Sequence, residues 1–343
     1  MTSTDMEQVA QKPRLMPIPV VVDACVLLRN VGYTRRKGWN GALIESASGD
    51  YTLFSGVVLF ASSQVLNEVE EHLPEIARNT RVPLDAAFQV WNNVFLPRLR
   101  IVELDDHLIG DPRVAAVRAL DPDDAATAAL AVALAPCVLL TDNRKHFEPL
   151  GLPNHPVDEI AVDIHKVSEL MTGTNGVMLM TGLTGAGVVE GTKKIVLALG
   201  KEGALLVALL LAGVAYLYWR SEPGSRLRKG MTAFARDIGP PLMDAITERT
   251  ALSEKIAALA IEAAEDQPSA FRAVAQRLAT GQTTMTTTEI SRFLNERGYR
   301  FTEDGNYSTL VRSWLAANGC FFELQRGHWS LGYHALPRGA DAA

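Results

Sequence analysis

Cysteine is scarce in this sequence, and a basic excess is missing. The three cysteines, Cys25, Cys137 and Cys320, lie far apart and form neither a CxxC pair nor a Cys/His cluster. This pattern excludes zinc fingers and disulfide scaffolds and indicates a reducing compartment. The 33 Lys and Arg are outnumbered by 39 Asp and Glu, for a net charge of −6. The chain as a whole therefore lacks the charge balance that is typical of a nucleic-acid-binding protein.

Several sequence signals are also absent. The first 19 residues contain no apolar stretch of the kind found in secretory signals, so none is predicted. The glycine-rich run at 182–194, GLTGAGVVEGTKK, does not satisfy the P-loop pattern GxxxxGK[ST]. The seven histidines show no HExxH spacing, and His146 and His328 are predicted to be structural. No GxSxG serine motif is present.

The length of 343 residues predicts two or three domains, and 48% hydrophobic residues exclude wholesale disorder. Residues 1–168 carry 15 Lys and Arg against 22 Asp and Glu, whereas residues 268–343 carry 8 against 6. The middle of the chain is nearly neutral and supplies most of the excess hydrophobicity. These shifts divide the chain into an α/β domain, a hydrophobic segment, a helical linker and a C-terminal domain, at 17–170, 171–221, 222–267 and 268–334.

Strand and helix patterns alternate in the first part of the chain, which predicts a parallel α/β sheet. Short apolar runs, many of them β-branched, predict strands. Residues with helical spacing or high helix propensity separate them. The predicted strands are 18–22, 56–61, 99–104 and 137–140, and the predicted helices are 62–73, 83–95 and 123–134.

Acidic residues recur at the ends of these elements. Asp23 closes the first strand, Glu68 lies on the helix after the second, and Asp142 follows a later strand. Asp121 and Asp124 lie at the start of an alanine-rich helix. Because ligands gather beyond the carboxyl ends of parallel strands, these acids could converge and bind Mg²⁺ or Mn²⁺. Taken singly, each also has an ordinary role as a helix cap, a turn residue or part of a solvated face.

Three local strings, in this order, resemble the PIN-domain nucleases, VapC-like proteins included. They are VVVDACVLL from residue 20, SSQVLNEVEEHL from residue 62 and DPDDAATAALAVALAPCVLLTDNRKHF from residue 121. The resemblance covers about residues 17–170 and implies a parallel sheet flanked by helices. It also implies a site for Mg²⁺ or Mn²⁺ formed by Asp23, Glu68, Asp124 and a fourth ligand. The fourth ligand is Asp142 or its neighbour Asn143, and Asp121 is a reserve ligand.

The middle of the chain contains an uncharged run, GALLVALLLAGVAYLYW, at 203–219. Its length and its aromatic end, Tyr216 to Trp219 beside Arg220, predict a transmembrane helix. The basic residues that follow would lie on the cytoplasmic side, and the run at 170–189 could form a first pass of a hairpin. The alternative is a buried core or oligomerisation helix, which would leave the protein soluble in the cytoplasm.

The C-terminal region resembles a winged-helix domain. Helices are predicted at 269–280, 287–297 and 307–317, followed by a hairpin around Arg326 and Gly327. This resemblance implies duplex binding through one of the later helices and through Arg326. A protein partner, including a second copy of the chain in a homodimer, is the other interpretation.

Together these features predict a metal-dependent endonuclease of PIN type that hydrolyses RNA phosphodiesters, RNA being favoured over DNA as substrate. The enzyme would be tethered at the cytoplasmic face of the membrane. The alternative is a non-catalytic, membrane-associated regulator that binds nucleic acid or protein and whose acid cluster is degenerate. The convergence of the acids separates the two hypotheses, because catalysis requires it.

Overall fold

The computed structural model of the chain is organised around a five-stranded sheet with the order β4-β1-β2-β3-β8. Strands β1 to β4 are parallel, and β8 pairs antiparallel with β3 at the edge. These strands are β1 Ile18–Val22, β2 Val57–Ser62, β3 Leu99–Val102, β4 Val138–Leu140 and β8 Tyr333–His334. The structure describes residues 18–33, 57–106, 109–153, 155–167, 247, 251–252, 254–262, 269–280, 284–301 and 306–334.

Both faces of the sheet are buried, which explains why its strands read as continuous apolar runs. Val20 and Val22 of β1 belong to one apolar layer, whereas Val21 belongs to the layer on the opposite face. Each strand therefore needs apolar side chains at successive positions. The predicted parallel sheet is present in its four parallel strands.

Helices cover both faces. In the N-terminal half they are α1 Ala24–Tyr33, α2 Ser63–Thr80, α3 Leu84–Val90, α4 Pro112–Leu120, α5 Ala125–Leu134 and α6 at 157–167. Helices α1, α2, α3 and α6 contribute to the first apolar layer, and α4 and α5 contribute to the second. Helix α5 is buried along nearly its whole length, which accounts for its alanine-rich, uncharged sequence.

The C-terminal region has three helices and a three-stranded sheet with the order β5-β7-β6. Its elements are α7 Ala270–Thr280, β5 Met285–Thr286, α8 Thr287–Glu296, α9 Tyr307–Ala317, β6 Phe321–Gln325 and β7 His328–Leu331. Helix α8 begins with a reciprocal capping box, in which Thr286 and Glu289 bond each other's backbone. Strands β6 and β7 form a hairpin around Arg326 and Gly327, and β7 leads through Gly332 into β8.

The C-terminal region packs on the same apolar layer as α5. Val274 and Leu278 of α7 belong to this layer, together with Trp329 of β7. Gln276 of α7 donates a hydrogen bond to the Ala135 carbonyl. Within 222–267, the described residues include a helical turn at 254–257 and Ile261, whose backbone N–H donates to the Cys137 carbonyl at 2.8 Å.

The prediction of a membrane-spanning helix is wrong for the part of the chain that the structure describes. No helix there is both long enough and apolar enough to cross a bilayer. The longest, α2, has 18 residues but carries five charged side chains, and the apolar α5 has only 10 residues. The segment 203–219, like the rest of 171–221, lies outside the described residues. The membrane partner and the position at a membrane face, which depended on this helix, are not retained.

Candidate metal centre

Asp23 directly follows the carboxyl end of β1, which lies between β4 and β2 in the sheet, and is 4% exposed. Its backbone N–H donates to the Leu140 carbonyl at 3.0 Å, which continues the pairing of β1 with β4 by one residue. This pairing fixes the Asp23 backbone at the sheet edge. The Asp23 side chain is therefore attached to backbone that is held in the sheet.

Three donors orient the Asp23 carboxylate. Oδ1 accepts from the Ala24 backbone N–H at 2.8 Å, and Oδ2 accepts from the Thr141 hydroxyl at 2.6 Å. The Cys25 thiol also donates to Oδ2, at 2.9 Å. Burial and the neighbouring Asp23 charge raise the pKa of Cys25 to about 12, so the thiol keeps its proton and acts as a donor.

Glu68 faces the acids from the second turn of α2. Burial raises its pKa to about 7, and the charges of four other carboxylates act in the same direction. In decreasing order of effect these are Asp23, Asp124, Asp123 and Asp121. Glu68 is thus half-buried and lies within electrostatic range of the other acids.

Asp124 stands at the N-terminus of α5, but its carboxylate does not cap that helix. The residue is 7% exposed, and its side chain accepts from His146 Nδ1 at 2.7 Å and from Asn143 Nδ2 at 3.3 Å, both at Oδ2. Burial raises the pKa of Asp124 to about 6, aided by Asp23 and Asp121 and opposed by the His146 hydrogen bond. A capping role therefore does not explain why an acid occupies this position.

Asp121 adds a further carboxylate beside Asp124. Its Oδ1 accepts from the Asp123 backbone N–H at 3.0 Å, and its Oδ2 lies 3.1 Å from His146 Nδ1. One ligand atom from each of Asp121, Asp124 and His146 lies within 4.8 Å of the other two. The sequence predicted Asp121 as a reserve ligand, and the structure brings it to the same cluster as Asp124.

The two candidates for the fourth ligand, Asp142 and Asn143, have different partners. Asp142 Oδ1 accepts from Arg29 Nη1 at 2.8 Å, and the same guanidinium reaches Asp158 at 2.9 Å. Burial raises the pKa of Asp142, and the Arg29 charge opposes that rise. Asn143 instead lies beside Asp124. The structure thus brings Asn143 into contact with the cluster and engages Asp142 in an ion pair, while the ligand set itself stays a prediction.

His146 is the residue that sequence reasoning missed, because it was predicted to be structural. The available signal was its spacing from Asn143. The two are three residues apart in the turn after β4, where the His146 backbone N–H donates to the Asn143 carbonyl at 3.2 Å. That turn brings both side chains to the same side, and Asn143 Nδ2 lies 2.6 Å from His146 Nδ1.

The cluster fits a divalent cation. Asp23, Glu68 and Asp124 come from three separate parts of the fold, and the Asp23 charge raises the pKa of both Glu68 and Asp124, in each case after the larger effect of burial. Mutual repulsion of this kind is relieved by a cation, and carboxylate oxygens are the donors that Mg²⁺ and Mn²⁺ prefer. No family model, curated protein or solved structure matches the chain.

Proposed function

We propose that the chain is a Mg²⁺- or Mn²⁺-dependent endoribonuclease of PIN type. The observation that supports this most strongly is that Asp121, Asp124 and His146 each place a ligand atom within 4.8 Å of the other two, while the charge of Asp23 acts on both Asp124 and Glu68. The raised pKa values of Glu68 and Asp124 mean that their ionised forms reduce the stability of a metal-free protein, so a structural role alone does not account for these two acids. The resemblance of the three local strings to PIN nucleases points to the same function.

In this proposal Asp23, Glu68 and Asp124 hold the metal, with Asp121 and Asn143 at its periphery. A bound Mg²⁺ or Mn²⁺ supplies a water of lowered pKa and neutralises charge on the phosphate. The donors around Asp23 keep its carboxylate in one orientation, which favours a fixed ligand geometry. Asp142 contributes indirectly, because its ion pair with Arg29 ties α1 to the turn that carries Asn143.

The test is cleavage of a mixed RNA pool by the full chain with Mn²⁺, with Mg²⁺ and with a chelator. We expect cleavage that requires the metal and that Glu68→Gln reduces by at least roughly a hundredfold. Glu71→Gln is the matched control, since it removes the same charge from an exposed position on the same helix. Equal cleavage by wild type and Glu68→Gln, or cleavage in the chelator, would overturn the proposal.

A second candidate is a non-catalytic regulator that binds nucleic acid or protein. It is favoured by the contacts that two of the acids already make within the chain, Asp124 with His146 and Asp142 with Arg29. The α7–α8 surface offers a binding feature of its own, because the guanidinium groups of Arg297 and Arg277 lie 4.7 and 6.0 Å from the Phe293 ring centroid. Retained RNA or duplex binding with no cleavage in any metal would favour this candidate.

A further inference from the structure

The His146 ring nitrogen occupies a central place in the acid cluster. Its Nδ1 lies 2.7 Å from Asp124 Oδ2 and 3.1 Å from Asp121 Oδ2. Both distances join the same ring atom to oxygens that converge on it. A histidine that served only to pack the loop would not need to direct Nδ1 between two carboxylates.

The loop that carries His146 is anchored on both sides. Before it, the Thr141 hydroxyl accepts from the Asn143 backbone N–H at 2.9 Å while it donates to Asp23. After it, Phe147 is fully buried in the second apolar layer. The ring position therefore follows from the fold around the site, as expected for a ligand that must be preorganised.

Given the proposed function, which supplies the metal, we propose that His146 is a nitrogen ligand of the centre through Nδ1 and that it makes the site prefer Mn²⁺ to Mg²⁺. Mg²⁺ dehydrates reluctantly and is bound through oxygen, so a ring nitrogen gains it little. Mn²⁺ shares the preference of Mg²⁺ for carboxylate oxygen, but it belongs to the first-row transition-metal ions, whose sites combine nitrogen with oxygen ligands. The imidazole of His146, added to the carboxylates of the proposed site, thus forms a mixed oxygen and nitrogen ligand set that discriminates between the two ions.

The primary test is binding of MnCl₂ and of MgCl₂ to the full chain by calorimetry. We expect wild type to bind Mn²⁺ at least roughly tenfold more tightly than Mg²⁺. His146→Gln should lose about tenfold in Mn²⁺ affinity while its Mg²⁺ affinity changes much less. His155→Gln, at an exposed position nine residues away, should leave both affinities unchanged.

The second measurement uses the wild-type protein alone. Electron spin-echo envelope modulation of bound Mn²⁺ should show coupling to a directly ligated ¹⁴N nucleus. This result holds even if His146→Gln does not fold. Absence of the ¹⁴N coupling, or an equal loss of Mn²⁺ and Mg²⁺ affinity in His146→Gln, would show that His146 only orients the carboxylates.

RNA cleavage measured on the same samples separates this inference from the nuclease proposal. ¹⁴N coupling and selective Mn²⁺ binding without cleavage would uphold the ligand and overturn the nuclease. Metal-dependent cleavage without ¹⁴N coupling would uphold the nuclease and overturn the proposal that His146 is a metal ligand. Failure of the wild type to bind either ion at millimolar concentration, without cleavage, would overturn both.

Discussion

At the scale of single residues, the acids of the cluster are not equivalent. Asp23 is held by three donors, whereas the charged groups that act on Glu68 are themselves carboxylates. Removing a charge should therefore relieve repulsion at Glu68 but sacrifice hydrogen bonds at Asp23. Neutralising Glu68 should therefore stabilise the metal-free protein and neutralising Asp23 should destabilise it, whereas both changes should reduce cleavage.

The first prediction concerns the pH dependence of the metal-free protein. The folded-state pKa of Glu68, about 7, lies above its usual value of 4.5, so the folded protein binds this proton more tightly than the unfolded chain. This contribution to the free energy of unfolding is full below about pH 4.5 and is lost as the pH rises through about 7. In chelator, Glu68→Gln should therefore raise the melting temperature at pH 8 and change it little at pH 5. A melting temperature that shifts equally at both pH values would contradict this electrostatic account.

The second prediction concerns Asp23→Asn, which should abolish cleavage and also destabilise the fold. An amide in place of the carboxylate has one acceptor oxygen and cannot serve the donors of Ala24, Cys25 and Thr141 together. We expect a loss of roughly 1–3 kcal/mol in the free energy of unfolding, measured by urea denaturation in chelator. Thr141→Val is the companion variant, since it removes one donor and keeps the charge. A more stable Asp23→Asn would mean that repulsion outweighs these bonds.

Much of the site could be predicted from the order of acids at strand ends, because the carboxyl ends of parallel strands share one edge. The choice between Asp142 and Asn143 could not. Neighbouring residues in a turn point in different directions, and the Arg29 that engages Asp142 comes from a helix more than a hundred residues earlier. His146 escaped prediction because its role depends on the path of a loop, which no periodic pattern encodes.

At the scale of elements, helix α2 shows how a local rule can mislead. The apolar spacing predicted a helix at 62–73, and the Pro74 that follows lacks a backbone N–H, as a residue that ends a helix does. The helix instead continues to Thr80 and ends at Arg81, which adopts a positive φ of 57°. Leu73 and Ala77 are buried on the same face as Val69, so the packing of that face against the sheet outweighs the loss of one backbone bond.

The third prediction concerns the arginines of the C-terminal region. Of the eight, Arg272 is buried and Arg312 contacts Glu323 at 3.0 Å, whereas Arg297 is exposed beside Phe293 and is a better phosphate contact than either. If this region binds duplex DNA in chelator, the logarithm of affinity should fall with that of salt with a slope of about −3. Arg297→Ala should flatten the slope by about one, whereas Arg312→Ala should leave it nearly unchanged. Fluorescence anisotropy at several salt concentrations measures both, and no binding at low salt would favour a protein partner.

At the scale of the whole molecule, the C-terminal region and the N-terminal sheet are connected through one apolar layer. Strand β8 also extends the sheet, and His334 Nδ1 lies 3.1 Å from the Leu99 carbonyl. The sequence predicted the four parallel strands, the three C-terminal helices and the hairpin, but neither β8 nor this contact. Apolar residues on α5 and α7 show only that each helix has a buried face, and the identity of the covering partner depends on tertiary packing.

The last prediction tests this connection at Gly332, which joins β7 to β8. Gly332 has a positive φ of 67°, and a Cβ added there would lie 2.4 Å from the Ile101 carbonyl oxygen of β3. Gly298, at the end of α8, has a similar φ of 82° but open space around its missing side chain. Gly298→Ala should therefore cost only the backbone strain, roughly 1 kcal/mol.

Gly332→Ala adds a clash with backbone atoms that cannot move aside without separating β8 from β3, so its cost should be about 3 kcal/mol. Urea denaturation of the full chain in chelator measures both losses. Hydrogen exchange identifies where the loss occurs, because detachment of β8 should reduce the protection of amides in β3 only in Gly332→Ala. Equal losses for the two variants, with β3 still protected, would show that β8 contributes little to the stability of the sheet and that the shared apolar layer alone connects the two regions.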